Sequence, residues 1–504
     1  MSDLITLQNQ VLYAKMAYLS NKGKPKEEFL YANINEWLKS DKLKMMHLGN
    51  RYYENDPDIK ERKRFSIGRR GEKIEETRLS NAKLAHPFMR KLTNQKVNYL
   101  LSKPFSIQTN NDQFLKALYK YFNKDFHRML KNVGKDAIKG GIAWVQPYYN
   151  EQGVLCFKRI PNTEVIPFWR DIDHTDLEAA IRIYKVDSYD EKGNKTKIEK
   201  VEYMDETGIY YYQKGKTGLE PDPDRAVQSS GHFKIVSKQK AEDGTVQEVE
   251  QEAVWERVPL VAFKYNAEET SLIKIIKPLV DDYDVNTSDT SNNIQDVPNS
   301  LKVVRNYDGT DKGEFVHDLA LYRTVFVSGD GDVDSVETKM DITAIDRHLD
   351  RLRKDIYEFG GGVDTQNKDL GNASGVALKF LYADLDMDCS DLGNEFAAAL
   401  ENLIWFIKVD LANSGKGDFM DENVDIIFNT DIAINEQETI TNAINSLPIL
   451  SRKTIVANHP WVTDVEAELA ARDKEMEEDL QRAQDFGFGE TNPDNQNQDG
   501  DEDE

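Results

Sequence analysis

Two short stretches and a set of histidines carry residue types that could do chemistry. Asp330-Gly331-Asp332-Val333-Asp334-Ser335 sets acids at alternate positions, as a calcium loop does, because a hard cation needs several oxygen ligands converging from one turn. The sixth position of such a loop needs glycine and is Ser335; the twelfth needs glutamate and is Asp341, so the stretch is read as a tight turn. Gly415-Lys416-Gly417 has the glycine and lysine of a phosphate loop, yet no Ser or Thr follows the lysine and the upstream glycine spacing is absent. A helix C-cap with a lysine near the negative helix end accounts for it. The eight histidines, among them His47, His86, His127 and His459, show neither metal-ligand spacing nor a paired nucleophile. The expectation is a chain that is not an enzyme, with no catalytic residue, no metal site and no cofactor.

What remains is charge and flexibility. The most basic window is Lys60-Glu61-Arg62-Lys63-Arg64-Phe65-Ser66-Ile67-Gly68-Arg69-Arg70. It reads either as a solvated loop or as a contact with DNA or an acidic partner. A second pattern lies on the helix expected over Thr343–Phe359. Ile345, Leu349, Leu352, Ile356 and Phe359 recur at steps of three and four and form one apolar stripe. Arg347, Arg351 and Lys354 fall together on the roughly opposite face, joined by Glu358. That face is either ordinary solvated surface or a cationic stripe for a polyanion. A loop follows at once, with glycines at Gly360, Gly361, Gly362, Gly371 and Gly375 and polar residues at Thr365, Gln366, Asn367, Lys368 and Asn372. Glycine tolerates both signs of φ, so this loop reads as a hinge.

The elements around these features come from periodicity. Helical spacing lies over Glu27–Trp37, Lys42–Tyr53, Asn81–Leu101 and Gln113–Ile138. The period then switches to two. Strands are expected at Ile142–Tyr149, Val154–Ile160, Ala179–Val186, Lys197–Met204, Ile209–Gln213 and Ala253–Pro259, separated by polar turns such as 191–194 and 242–244. A helix over Ser271–Gln295, with Pro278 as a possible kink, leads into short strands at Leu301–Val304, Thr324–Val327 and Ser335–Lys339 around a short helix at Glu314–Leu321. A long helix starts at Val376 and runs to Leu411, Val424–Asn429 is a strand, and residues 436–484 form a last helical group. The fold class expected is α+β.

The 504 residues suffice for more than one domain. No run of eighteen apolar residues exists, so no membrane span is expected, and the first residues lack the pattern of a secretory signal. Cys156 and Cys389 are too few for a disulfide framework or a structural zinc site, which points to a reducing compartment. Net charge is −24, and thirteen acids against two bases from Asp473 to the end carry −11 of it. That end reads as a disordered solubilising tail. An acidic body disfavours tight binding of phosphate backbones, but not a sleeve through which DNA slides.

Several of these segments, in order, resemble the portal proteins of tailed bacteriophages, of the kind found in long-tailed phages of Gram-positive hosts. The resemblance is carried by Ile356-Tyr357, the glycine loop, and Gly375-Val376-Ala377-Leu378-Lys379-Phe380-Leu381-Tyr382-Ala383-Asp384-Leu385-Asp386-Met387. Gly49-Asn50-Arg51-Tyr52-Tyr53, His86-Pro87-Phe88-Met89, Gln95 to Leu100, Asn306-Tyr307-Asp308-Gly309, Val327 to Gly331, Asn413 to Phe419 and Ser451 to Ala470 add to it. The match covers roughly residues 40 to 480. The three consecutive glycines depart from the family pattern, where helix-compatible residues are usual.

The resemblance implies a ring of about twelve copies at one capsid vertex, which passes double-stranded DNA during packaging and ejection. It implies an N-terminal arm (1–24), a wing (25–264), stem helices (265–295 and 343–359), a clip (296–342) and a tunnel loop (360–375). A long kinked helix with a return to the wing (376–435), a crown (436–484) and an acidic tail (485–504) complete the subunit. Arg347, Arg351 and Lys354 would face the channel; Thr365, Gln366, Asn367, Lys368 and Asn372 would touch DNA. Asn306, Tyr307, Asp308 and Phe315 would dock partners on the clip. The partners implied are the terminase large subunit, a head-completion adaptor, and the major capsid and scaffold proteins, with no membrane, in a virion assembled in the host cytoplasm. Stiffening the hinge, for example by Gly361→Pro, is expected to impair packaging while rings still form. The competing expectation is an acidic scaffold or adaptor protein of the virion without a DNA channel.

Overall fold

The computed structural model describes residues 26–485 except 68–71, 78, 190–192, 241–245, 297–300, 306–331, 337–340, 367–379, 430–435, 458, 460 and 463–464. It divides into two compact units, one of residues 1–366 with 382–431 and one of 367–381 with 432–504.

In the first unit, helices α1 (Lys26–Trp37) and α2 (Asp41–Tyr53) precede a small hairpin, β1 (Phe65–Ile67) with β2 (Lys73–Glu75). Helix α3 (Phe88–Leu101) and strand β3 (Ser106–Gln108) follow, then α4 (Asp112–Tyr121) and α5 (Lys124–Gly140). The single helix expected over 113–138 is thus two. Asn111 accepts from the Phe114 amide at 3.1 Å and Asn123 from the Phe126 amide at 3.0 Å, so each asparagine caps a helix start of its own. The helix expected from residue 81 begins only at Phe88, after Pro87.

Strands β4 (Ile142–Tyr149), β5 (Leu155–Ile160), β6 (Val165–Trp169), β7 (Leu177–Tyr189), β8 (Lys195–Asp205), β9 (Gly208–Lys214), β10 (Leu219–Pro221) and β11 (Ser229–Ser230) form most of the antiparallel β region. A hairpin of β12 (Phe233–Lys240) and β13 (Val246–Ala253) comes next, and β14 (Val261–Lys264) joins β4 and β5 in a three-stranded sheet. The strand expected at 253–259 is therefore displaced: Ala253 ends β13, and the next strand starts at Val261. The main sheet runs β10-β9-β8-β7-β6, with β11 on β9. Helix α1 covers it by burying Phe29, Leu30 and Ile34 against Ile181, Val201 and Tyr212.

Helix α6 (Leu272–Asp296) contains Pro278 and is followed by β15 (Leu301–Arg305), which pairs antiparallel with β16 (Asp332–Val336). The acidic run 332–334 is therefore strand, not loop, while the helix expected at 314–321 and the strand at 324–327 lie outside the described residues. Helix α7 (Ile342–Phe359) packs on α6, and α8 (Ala383–Asn413) crosses the core. The beginning expected for α8 at Val376 lies outside the described residues. Strand β17 (Asp425–Ile427) returns to pair with β3. The largest core joins α3, α5, β4, β14, α6 and α8 through residues such as Leu92, Val133, Phe263, Ile276, Phe396 and Leu403, all fully buried. At the end of α8, Lys416 donates to Leu411 and Gly415 to Ala412, with Gly415 at φ +67°. That is a Schellman end, which accounts for Gly415-Lys416-Gly417.

Two polar features brace α6. Residues 80–86 run antiparallel along it as a strap, and their alternate amides each find a side chain. His86 donates to Asp284 (3.1 Å), Leu84 to Ser288 (3.0 Å), Ala82 to Asn292 (2.6 Å) and Ser80 to Asp296 (3.0 Å). Asp284, Ser288 and Asn292 are buried, so these amides find their acceptors where water cannot reach; Asp284 takes both the amide and the ring of His86 on Oδ1 and leaves Oδ2 buried without a partner among the described residues. At the start of α6, buried Glu269 accepts from the His174 ring at 2.6 Å and pairs with Lys42. Burial alone would raise the Glu269 pKa; the His174 hydrogen bond and the Lys42 charge win and hold it at about 2. A carboxylate held below its unfolded value near 4.5 stabilises the fold above that pH and loses its contribution, about 3 kcal/mol, as pH falls toward 2. Thermal midpoints measured against pH are expected to drop across that window, and Glu269→Gln is expected to flatten that part of the curve.

In the second unit, α9 (Glu436–Ser446), α10 (Arg452–Ala457) and α11 (Val465–Asp485) follow the expected helical group. Ser451 accepts from the Thr454 amide at 3.2 Å and starts α10. Arg452 pairs with Asp473 of α11 at 3.3 Å. No helix among the described residues is long and apolar enough to cross a membrane.

Candidate channel face and loop root

Asp341 starts α7 by accepting from the Ala344 amide at 3.1 Å. Leu352, Ile356 and Tyr357 are buried, Ile345 and Leu349 half-buried. Phe359, expected in the stripe, is 58% exposed. The reason is angular: with Tyr357 and Gly360 buried, the covered arc is rotated toward Arg353 and leaves Phe359 on its rim.

Arg347, Arg351 and Lys354 are all exposed. The ion pairs of α7 among the described residues are His348 with Asp282 (3.0 Å) and Arg353 with Asp364, so the three cations of the outer face have no charge partner there. Four acids (Asp346, Asp350, Asp355 and Glu358) balance the four cations of α7; Arg347, Arg351 and Lys354 share one arc, in which Glu358 is the acid among three cations. The helix presents a local stripe rather than a net charge.

The basic window is used differently. Arg62 pairs with Asp289 at 2.7 Å and Arg64 with Asp296 at 2.9 Å, both on α6; Lys63 pairs with Glu75 at 2.9 Å. The acidic partner of Arg62 and Arg64 is the chain's own α6. Arg69 and Arg70 lie outside the described residues.

At the end of α7, Gly360 is buried, Gly361 takes φ +54°, and the Gly362 amide returns to Tyr357 at 2.8 Å. These glycines are packed. A β carbon on Gly360 or Gly362 would overlap Leu92 of α3. Proline holds φ near −65°, so Gly361→Pro would break this helix end rather than stiffen a swinging hinge. Beyond it, Gln95 brackets Val363, donating to its carbonyl at 2.7 Å and accepting from its amide at 3.3 Å. Lys91 reaches Thr365 at 3.3 Å. Arg353 grips Asp364 with two bonds, 2.5 and 2.8 Å, and the hydrogen bond from Arg353 holds the Asp364 carboxyl below its usual range. Such a bidentate pair fixes geometry as well as charge. Sequence reading missed Arg353, Gln95 and Lys91, whose polar spacing on helices gave no hint of a shared target. Thr365 and Gln366 are exposed. Asn367, Lys368, Gly371, Asn372 and Gly375 lie outside the described residues, as do Asn306, Tyr307, Asp308 and Phe315. Among the described residues no cluster of His, Cys, Asp and Glu could hold a metal ion.

A family model described as phage portal protein, SPP1 Gp6-like, matches residues 39–482. The chain belongs to this family. It is 28% identical over 443 residues to the portal protein of Bacillus phage SPP1, covering 85% of this chain and 83% of that one. It is also 28% identical over 433 residues to the portal protein of Clostridium phage phiCD119, covering 82% and 89%. Among solved structures, "Neck of native GTA particle computed with C12 symmetry" aligns with 74% of this chain and 90% of that chain at 10% identity and a TM-score of 0.38. As a phage portal, the protein is a virion component that forms an oligomeric ring at a capsid vertex, the channel for DNA and the docking platform of the head. The reading as an adaptor without a channel falls with that membership.

Proposed function

We propose that the ring has about twelve subunits and that α6 and α7 are its stem, with the exposed face of α7 turned to the DNA. The observation that carries this is the stripe of Arg347, Arg351 and Lys354, free of charge partners among the described residues, opposite the face that α7 buries on α6. Unpaired cations repeated around a ring attract phosphates weakly and at many points, so DNA is guided without being trapped. In the same reading residues 25–264 are the wing, 296–342 the clip, 360–375 the tunnel loop and 436–484 the crown. Asn306, Tyr307, Asp308 and Phe315 are clip docking residues. Thr365, Gln366, Asn367, Lys368 and Asn372 touch DNA. Gly371 and Gly375 are its hinge points, while Gly360, Gly361 and Gly362 form its packed root. The terminase large subunit supplies the driving force and docks at the clip, which later receives the head-completion adaptor; capsid and scaffold proteins surround the wing. The portal itself catalyses no reaction, and it assembles in the host cytoplasm.

The test is photo-crosslinking in capsids arrested with DNA part-way in. A crosslinking amino acid at position 351 is expected to capture DNA, and one at Tyr189, an exposed residue at the end of β7, is expected not to. Capture at 189 and not at 347, 351 or 354 would turn α7 away from the channel.

A further inference from the structure

A buried ammonium beneath the loop root has no part in the account above. Lys96 lies on α3 with its side chain fully buried. It donates to the Gly361 carbonyl at 2.7 Å and pairs with Asp388 of α8. Asp388 also accepts from the Tyr265 hydroxyl at 2.7 Å, just after β14. Burial, and then the Asp388 charge, push the Tyr265 pKa well above its ordinary value, so this hydroxyl stays a donor. Cys389 packs beside the pair, its thiol pushed up to about 12 by burial. The Lys96–Asp388 pair therefore joins α3, the residue after β14, the chain just past α7 and the start of α8. A β carbon at Gly361 would sit 2.7 Å from Asp388 Oδ2 and 2.9 Å from Lys96 Nζ, so only glycine lets this carbonyl face the lysine.

A buried lysine is costly and is tolerated only with partners. For stability alone, a neutral pair of similar volume would serve as well as Lys96 and Asp388. What a neutral pair lacks is a cation at the Gly361 carbonyl, which lies just past the Gly360 cap and beside the negative end of the α7 dipole. We propose that Lys96 is a positioning residue for DNA passage: it ties the exit of α7 to α3 and α8 and so fixes where the chain sets out toward Thr365. The inference rests on the reading of 360–375 as the loop that touches DNA.

Two full-length variants test it, Lys96→Met and Lys96→Met with Asp388→Asn. Three quantities are read: thermal midpoint of the ring, amide exchange over 361–366, and yield of DNA-filled capsids. Lys96→Met is expected to lower the midpoint, speed exchange at the loop root by ~10-fold and reduce filled capsids by ~10-fold. The double variant removes the unpaired carboxylate, so its midpoint is expected to recover while exchange and packaging stay impaired. It also carries the test if the single variant fails to assemble. Unchanged exchange in these variants, or packaging that recovers together with the midpoint, overturns the proposal and leaves Lys96 a plain structural residue. Fast exchange with normal packaging overturns it by a different route: the anchor is real, and the loop reading fails.

Discussion

Reversing all three outer cations of α7, in R347E/R351E/K354E, is expected to leave ring assembly intact and to cut the yield of DNA-filled capsids by ~100-fold. The three side chains are exposed and make no ion pair among the described residues, so their loss costs the fold little, within about 0.5 kcal/mol each. The effect on DNA is of another order. Each substitution changes the subunit charge by two units, and the ring repeats the change in every copy. In the stem arrangement proposed above, a weakly attractive belt becomes a repulsive one. Raising the salt should restore part of the yield, because screening over about 10 Å at 0.1 M weakens exposed charges first. Counting nuclease-protected genomes, beside electron micrographs of the purified variant, checks both halves. Normal yield from a triple-glutamate ring would sink the channel assignment of α7.

Gly141→Val is expected to prevent folding rather than to impair function. Gly141 ends α5 at φ +85°, its amide bonded to Ala137 at 2.6 Å and its carbonyl receiving the Tyr265 amide at 2.9 Å. A β carbon there would overlap the Glu269 carbonyl oxygen. The left-handed conformation costs a β-branched residue about 1–2 kcal/mol, and forcing the backbones apart adds about 1–3 kcal/mol. The break would fall where α5, β4 and the entry to α6 meet. Soluble expression and the thermal midpoint are the readouts, with Gly141→Ala between wild type and valine. A soluble valine variant with an unchanged midpoint would contradict the packing described here.

Helix α7 was legible in the sequence because apolar periodicity and charge segregation agree over five turns. Its cationic face was equally legible, since Arg347, Arg351 and Lys354 fall at helical spacing. The β region was visible through alternation, but β6 went unseen and β13 was placed several residues late. There the pattern is broken by buried aromatic residues and by a polar ribbon, and pairing partners rather than local preference decide the ends. The break at Asn123 was hidden because apolar positions keep their spacing on both sides of it, and only the cap reveals the new start. The loop root was the least legible. Its glycines look like free joints in one dimension; Leu92, Gln95 and Lys96, more than 260 residues upstream, turn them into contacts.

The strap along α6 works as a vernier. Successive acceptors on the helix are four residues apart, about 6.0 Å, while successive amides on the extended strap are two residues apart, about 6.6 Å. The scales drift by about 0.6 Å per rung, or about 1.8 Å over the three intervals between Asp284 and Asp296; the acceptor side chains take up that misfit, since all four bonds form at 2.6 to 3.1 Å, and the helix itself ends at Asp296. The ladder ends where the helix does. It holds four rungs in register and releases the chain at Ser80, close to where Arg64 takes over the grip on Asp296. Lengthening the strap by two residues would therefore lengthen a loop, not the ladder.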